Sequence, residues 1–217
     1  MDNAAPAYRI LALRPARRGR VRVLWDGGEP FSLAADLAQT LQPGQILTAQ
    51  QVEALRQADA QRRAWDLVTR RLARRLFTRH ELRQYLQRRG FSDTVIQATF
   101  ERLDSLGWLD DHRFARMWVE NQSHFRPRGK ARLRAELRAK GVPDEAIEEA
   151  LGQVDEERLA WDLARRVLPR YQHLEWSAFQ RRLGGYLARR GFPLALVRTI
   201  LRTLWQEVHP GTLEPEA

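Results

Sequence analysis

The 217-residue sequence contains no cysteine. That excludes disulfides, zinc–thiolate centres and cysteine nucleophiles together. Lysine is almost missing: of 37 basic residues only Lys130 and Lys140 are not arginine. No apolar run approaches the roughly 18 residues that a membrane-crossing helix needs. Residues 1–10 carry no apolar h-region, so they do not read as a secretory signal. A soluble cytoplasmic protein without a membrane partner is expected. The histidines, His80, His112, His124, His173 and His209, show no metal-ligand spacing, and neither a P-loop nor a G-x-S-x-G turn occurs. Asp110, Asp111 and His112 stand together and could in principle hold a metal. After the turn at Ser105-Leu106-Gly107, however, one of the two aspartates is better suited to cap a helix. No catalytic residue, metal or cofactor is expected, and the chain does not read as an enzyme.

What is present is positive charge on a foldable background. The apolar fraction is 43%, and 37 basic residues against 27 acidic ones leave a formal charge of +10. Such an excess suits a polyanionic partner. A genome rich in arginine codons would supply some of it without any binding role.

The first third reads differently from the rest. Tyr8, Ile10 and Ala12 alternate with Arg9, Leu11 and Leu13, and Val21, Val23 and Trp25 alternate with Arg20, Arg22 and Leu24. Both patterns predict strands. Asp26-Gly27-Gly28 predicts a tight turn before a short strand near Pro30–Ser32. A small antiparallel sheet of two or three strands is expected, then a short helix over Leu33–Leu41 ended by Pro43-Gly44. Thr48 with Gln51 predicts a capping box at the start of a longer helix.

Beyond residue 50 the period becomes helical and repeats. Gly90, Gly141 and Gly191 stand 51 and 50 residues apart. Aligned on them, Leu82 matches Leu133 and Leu183, and Leu86 matches Leu137 and Leu187. Further on, Ile96 matches Ile147 and Val197, and Phe100 matches Leu151 and Leu201. A fixed period marks a repeat architecture. Each copy accommodates three helices: a first with an aromatic stripe such as Trp65, Val68, Leu72 and Leu76, a second ending at the glycine, and a third starting near Asp93, Asp144 or Pro193. The glycine supplies a left-handed position after the second helix, and the following Phe91, Val142 or Phe192 can pack back. Arg89, Lys140 and Arg190 fall in the last turn, where the helix dipole favours a cation. In the third copy Gly184-Gly185 interrupts the second helix, predicting a kink, a close contact or a soft spot. The seven tryptophans sit at helical spacings that suit a core better than a base-stacking surface; the faces of Trp25 and Trp176 are not assigned.

The expected architecture is therefore mostly α: three tandem three-helix repeats forming an elongated curved array, preceded by a small antiparallel β-sheet. The expected boundaries are 1–48 for the β-rich segment with its short helix, 49–108, 109–155 and 156–209 for the repeats, and 210–217 for a disordered tail.

Charge is concentrated in the first two copies. Residues 62–90 hold ten arginines against Asp66 and Glu81, and residues 126–140 hold seven cations against Glu136. Arg79 and Arg83 in the first copy align with Lys130 and Arg134 in the second, but with Gln180 and Gly184 in the third. A working surface on copies one and two is one reading; an ordinary solvated helix face is the other. The candidate face comprises Arg75, Arg79, Arg83, Arg88, Arg126, Arg128, Lys130, Arg132, Arg134 and Arg138.

Leu106–Leu151, with its Asp111-x-x-Phe114-Ala115 helix start, Gly129, Leu133, Glu136-Leu137, Lys140-Gly141 and Ile147, resembles the central part of RecX regulatory proteins. Thr78–Phe91, TRHELRQYLQRRGF, resembles the same family's first repeat, and the likeness extends over about residues 62–205. The resemblance implies a non-enzymatic negative modulator of the RecA recombinase. Such a protein binds the RecA filament on single-stranded DNA and reduces ATP hydrolysis, strand exchange and coprotease activity. It also implies DNA affinity, for single strands and by the same charge for duplexes, and a monomer is expected. Phosphate contacts would make that affinity fall with salt at a slope of about 0.7 per contact on single strands. The alternative reading is a DNA-binding protein whose three-helix units act as helix-turn-helix modules.

Overall fold

The computed structural model describes residues 7–211. Residues 212–217 of the tail expected at 210–217, and residues 1–6 of the N-terminal segment, lie outside them. Four strands form one antiparallel sheet in the order β3-β2-β1-β4, with β1 Ala7–Ala16, β2 Arg20–Trp25, β3 Phe31–Ala34 and β4 Ile46–Thr48. The sequence predicts the first three. The fourth is missed because three residues are too few to show an alternation, and Ile46 faces outward. Leu33 and Ala34 also depart from the expected helix. Leu33 pairs with Val21 in the sheet and is fully buried, so the helix α1 shrinks to Ala35–Ala38.

Ile10, Val23, Leu33, Leu41, Leu47 and Val52 form the core beneath this sheet. The sheet is tied to α2, Ala49–Leu72, by one buried carboxylate. Asp59 accepts from Arg20 Nη2 at 2.8 Å, from Arg63 Nε at 3.0 Å and from the Ala34 backbone N–H at 2.8 Å. A buried charge is tolerated only when it is paired and hydrogen-bonded in this way. The α2 start carries the expected capping box: Gln51 N–H donates to Thr48 Oγ1, and Thr48 N–H donates to Gln51 Oε1. The helix stops at Leu72, so Leu76 does not extend its apolar stripe as expected.

The remaining helices follow as triplets. The first copy is completed by α3, Arg79–Gln87, and α4, Asp93–Ser105. The second is α5, Asp111–Phe125, α6, Lys130–Ala139, and α7, Asp144–Gly152. The third begins with α8, Glu156–Val167, and a short 3-10 turn at Leu168–Arg170. Its second helix is α9, Trp176–Phe179, continued through a π-helical segment, Gln180–Gly184, into α10, Gly185–Arg189. It ends with α11, Leu194–Val208. The twelve residues aligned in the sequence are all buried, none more than 3% exposed. Burying each such side chain is worth about 1.5–3 kcal/mol, so one repeated set of positions holds three cores.

All three repeat glycines adopt positive φ, at 78°, 70° and 88°. Each turn is a Schellman ending, with Phe91 N–H on Leu86 O, Val142 N–H on Leu137 O and Phe192 N–H on Leu187 O. The Gly184-Gly185 pair produces both a backbone irregularity and a close contact. The π segment ends there, and a side chain at Gly184 would meet Leu201 Cδ1 at 2.9 Å.

The chain forms two compact units. One is Met1–Phe77 with Leu82–Leu109; the other is Thr78–Glu81 with Asp110–Ala217. The first turn of α3 therefore groups with the second unit. Among the described residues no helix is long and apolar enough to cross a membrane.

Candidate functional site

The start of α3 is built by three interlocking hydrogen bonds. Glu81 N–H donates to Thr78 Oγ1 and Thr78 N–H to a Glu81 carboxylate oxygen, forming a capping box. Arg79 N–H donates to Asp111 Oδ1 at 3.2 Å. Of the two aspartates that could cap α5, Asp110 does so by accepting from Arg113 N–H. Asp111 serves the α3 start instead. Burial pushes its carboxyl above the ordinary carboxylate range, opposed by the Arg79 N–H and charge.

The candidate cations of the second copy are largely paired. Arg128 and Arg132 both meet Glu136 Oε1, the latter at 2.9 Å. Arg134 makes a two-pronged contact with Glu148 at 2.7 and 2.8 Å. Arg138 meets Asp144 at 2.8 Å. At Lys130 and Arg126 the bonds are those of the backbone, not of the charged side chain: the Lys130 amide N–H donates to Glu156 Oε1 at 2.6 Å, and the Arg126 amide N–H donates to Gln122 O at the end of α5. Two of these acids, Asp144 and Glu148, come from α7, outside the cation-rich stretch at residues 126–140. The hydrogen bond from Arg134 holds Glu148 below the usual carboxylate range, and the bond from Arg138 does the same for Asp144. The Arg134 guanidinium is shifted upward, chiefly by its bond to Glu148.

The first copy arranges its cations differently. Arg75 lies over the Phe77 ring, 3.5 Å from its centroid, and donates to Leu76 O. Arg71 lies 3.7 Å over Tyr85 and 5.5 Å from Phe77, and Arg89 lies 4.7 Å over Tyr85. Arg83 sits 3.9 Å from Asp93 and 5.4 Å over Phe100, while Arg88 Nε donates back to Gln84 O. Three arginines, Arg71, Arg75 and Arg89, thus gather around two rings. Arg71 and Arg89 are not among the residues expected from the sequence. Their signal was present in the four-residue spacing of Arg71 and Arg75 next to Phe77. Which aromatic each would reach depends on how α2 packs against α3. Arginines held over aromatic rings in this way can meet the charge of a phosphate-bearing strand.

Lys140 and Arg190 stand at the ends of α6 and α10, as expected, and also make specific contacts. Lys140 Nζ pairs with Glu81 at 3.0 Å and lies 4.5 Å over Trp118. Arg190 reaches Pro127 O and Tyr186 Oη. The His112–Asp110–Asp111 stretch does not assemble a metal centre: His112 Nδ1 contacts Glu149 at 2.6 Å, and Arg116 holds the other oxygen of that carboxylate. These contacts, the histidine bond first, lower the Glu149 carboxyl below its ordinary range. Among the described residues no group of three or more His, Asp or Glu is placed to hold a metal.

Family models match the chain in three consecutive blocks. The model described as RecX, first three-helix domain, covers residues 64–103, the second three-helix domain covers 110–151, and the third covers 155–201. The chain is 38% identical over 134 residues to the regulatory protein RecX of Amycolatopsis mediterranei (strain U-32), covering 60% of this chain and 77% of that one. It is 35% identical over 145 residues to the regulatory protein RecX of Chlorobium phaeobacteroides (strain BS1), covering 67% of this chain and 95% of that one. A crystal structure of a regulatory protein RecX superposes with a TM-score of 0.66 at 23% identity, over 89% of this chain and 98% of that one. RecX from Lactobacillus salivarius gives a TM-score of 0.61, also at 23% identity, over 68% of this chain and 97% of that one. These two structures bear on the fold. The three domain models, matched in order, and the extent of the relatives covered establish that the chain belongs to the RecX family of regulatory proteins.

Proposed function

We propose that this protein is a non-enzymatic negative regulator of the RecA recombinase, acting in the cytoplasm on the RecA–single-stranded DNA filament. It lowers ATP hydrolysis, strand exchange and coprotease activity by occupying the filament rather than by reacting with it. The observation that carries this reading is the ordered match to all three domains of a regulatory family. The filament's DNA is met by the basic side chains. Arg75, Arg79, Arg83 and Arg88 of the first copy and Arg126, Arg128, Lys130, Arg132, Arg134 and Arg138 of the second form that contact. In the second copy three carboxylates, Glu136, Glu148 and Asp144, pair with four of these arginines, Arg128, Arg132, Arg134 and Arg138.

The test is co-sedimentation with RecA–single-stranded DNA filaments, with and without nucleotide, alongside RecA ATPase measured against added protein. Pelleting with the filament and a falling ATPase are expected. A protein that stays in the supernatant and leaves the ATPase untouched would remove the reading. Preference for one duplex sequence over bulk DNA by about a thousandfold would favour the helix-turn-helix alternative.

A further inference from the structure

The second and third copies obey one docking rule. In the second, the Lys140-Gly141 turn receives the first turn of α3: Thr78 Oγ1 donates to Lys140 O, Glu81 pairs with Lys140 Nζ, and His80 lies against Gly141. In the third, the Arg190-Gly191 turn receives the first turn of α6: Gly129 N–H donates to Arg190 O at 2.9 Å, and Arg132 lies against Gly191. Thr78 and Gly129 are equivalent, each twelve residues before its own repeat glycine. In both copies a helix start donates to the carbonyl of the basic residue, and the bare glycine lets that start approach. Lys140, Gly141, Arg190 and Gly191 are all half-buried as a result.

The first copy has the same turn and, among the described residues, no such neighbour. Arg89 and Gly90 are exposed, and nothing among the described residues lies within 4 Å of where a Gly90 side chain would point. The space beside the turn is a cleft of about 490 Å³ walled by Arg56, Ala60 and Arg63 of α2, by Phe91, and by Glu53 at its edge. Arg56 and Arg89 against Glu53 leave it electropositive even with Arg63 paired to Asp59.

We propose that the Arg89-Gly90 turn and this cleft dock the first turn of a helix from another protein. The recognised chemistry is a serine or threonine cap, whose hydroxyl donates to the Arg89 carbonyl, and a carboxylate three residues later that pairs with the Arg89 guanidinium. The negative first turn matches both the cleft and the helix start it belongs to. A second copy of this chain is not the occupant. The position equivalent to Thr78 and Gly129 in the third copy is Phe179, which is buried inside a helical run that begins at Trp176 and continues through the π segment. The third copy therefore presents no helix start at the place where the rule requires one. The inference concerns a protein contact and stands apart from the RecA reading.

The test uses the full-length chain, isotope-labelled, and a synthetic peptide beginning acetyl-Phe-Thr-Ala-His-Glu-Leu. This copies Phe77–Leu82 with Arg79→Ala, and it carries a lactam staple because short helices are marginal alone. Saturable shifts are expected at the Gly90 and Phe91 amides. Changing the peptide Glu to Lys, or Arg89→Glu in the protein, should each weaken binding about tenfold, and the two reversals together should restore it. Absence of shifts at Gly90 with millimolar peptide would overturn the proposal, as would binding indifferent to Arg89→Glu. Self-association of the unliganded chain that Arg89→Glu abolishes would overturn it too, by making a second copy the occupant.

Discussion

The Thr78 hydroxyl donates to the Lys140 carbonyl at 2.7 Å, joining residues 62 positions apart. The same hydroxyl accepts the Glu81 N–H, so one fully buried atom both caps a helix and anchors the turn that ends another. Thr78→Val keeps the shape and deletes both bonds. A stability loss of about 2 kcal/mol is expected, read as a lower urea midpoint with unchanged slope. Thr78→Ser should recover most of it.

The repeat glycines should differ in what they tolerate. Gly90→Ala meets open space and bears only the left-handed backbone cost, about 1–2 kcal/mol. Gly141→Ala bears that cost and also drives a methyl into His80. It should lose a further ~1–3 kcal/mol, so that thermal unfolding ranks wild type above Gly90→Ala above Gly141→Ala. Equal losses would show that the docking contact is loose.

Asp59 should be the most sensitive charge in the first unit. Asp59→Ala leaves the Ala34 N–H without its acceptor and releases Arg20 and Arg63. A loss of about 3 kcal/mol is expected. Hydrogen exchange at Ala34 and across β3 should accelerate before exchange in α4.

Acid should weaken the second unit through three exposed carboxyls. Glu148, Glu149 and Asp144 titrate below their ordinary values in the folded chain, held there by Arg134, by His112 with Arg116, and by Arg138. A depressed carboxyl favours the fold above its unfolded pKa, and that contribution disappears as the pH falls through the folded value. Stability should therefore decline below the ordinary Glu value of 4.5. Arg134→Gln should return Glu148, followed by carboxyl NMR, to its ordinary titration. A Glu148 titration unmoved by that change would refute the assignment.

Charge pairing also predicts the salt dependence of DNA binding. If Glu148 masks Arg134, then Glu148→Gln should strengthen single-strand affinity and steepen the logarithmic salt slope by about 0.7. Arg134→Ala should do little by comparison. A larger effect from Arg134→Ala than from Glu148→Gln would mean that the ion pair opens on the strand.

The repeat frame is legible in the chain because its causes are local. A leucine pair at four-residue spacing, a glycine that alone accepts positive φ cheaply, and a following apolar residue write the same helix ending at Gly90, Gly141 and Gly191. The capping box at Thr48 is legible for the same reason. The strand β4 is not, since three residues carry no period, and Leu33 joins a strand rather than the expected helix because its place is set by the pairing with Val21 rather than by neighbours in sequence.

By itself the amino-acid order determined the helical triplets, their burial pattern and the excess of arginine. Only tertiary packing decided what each of those arginines meets: α7 brings Glu148 and Asp144 onto Arg134 and Arg138, while Arg71, Arg75 and Arg89 gather around Phe77 and Tyr85. Packing likewise gave the helix-end cations Lys140 and Arg190 their contacts with Glu81 and Pro127. The physical reason is range. Backbone conformation answers to residues a few positions away, whereas a charge answers to whatever carboxylate or ring the fold sets within a few ångströms of it.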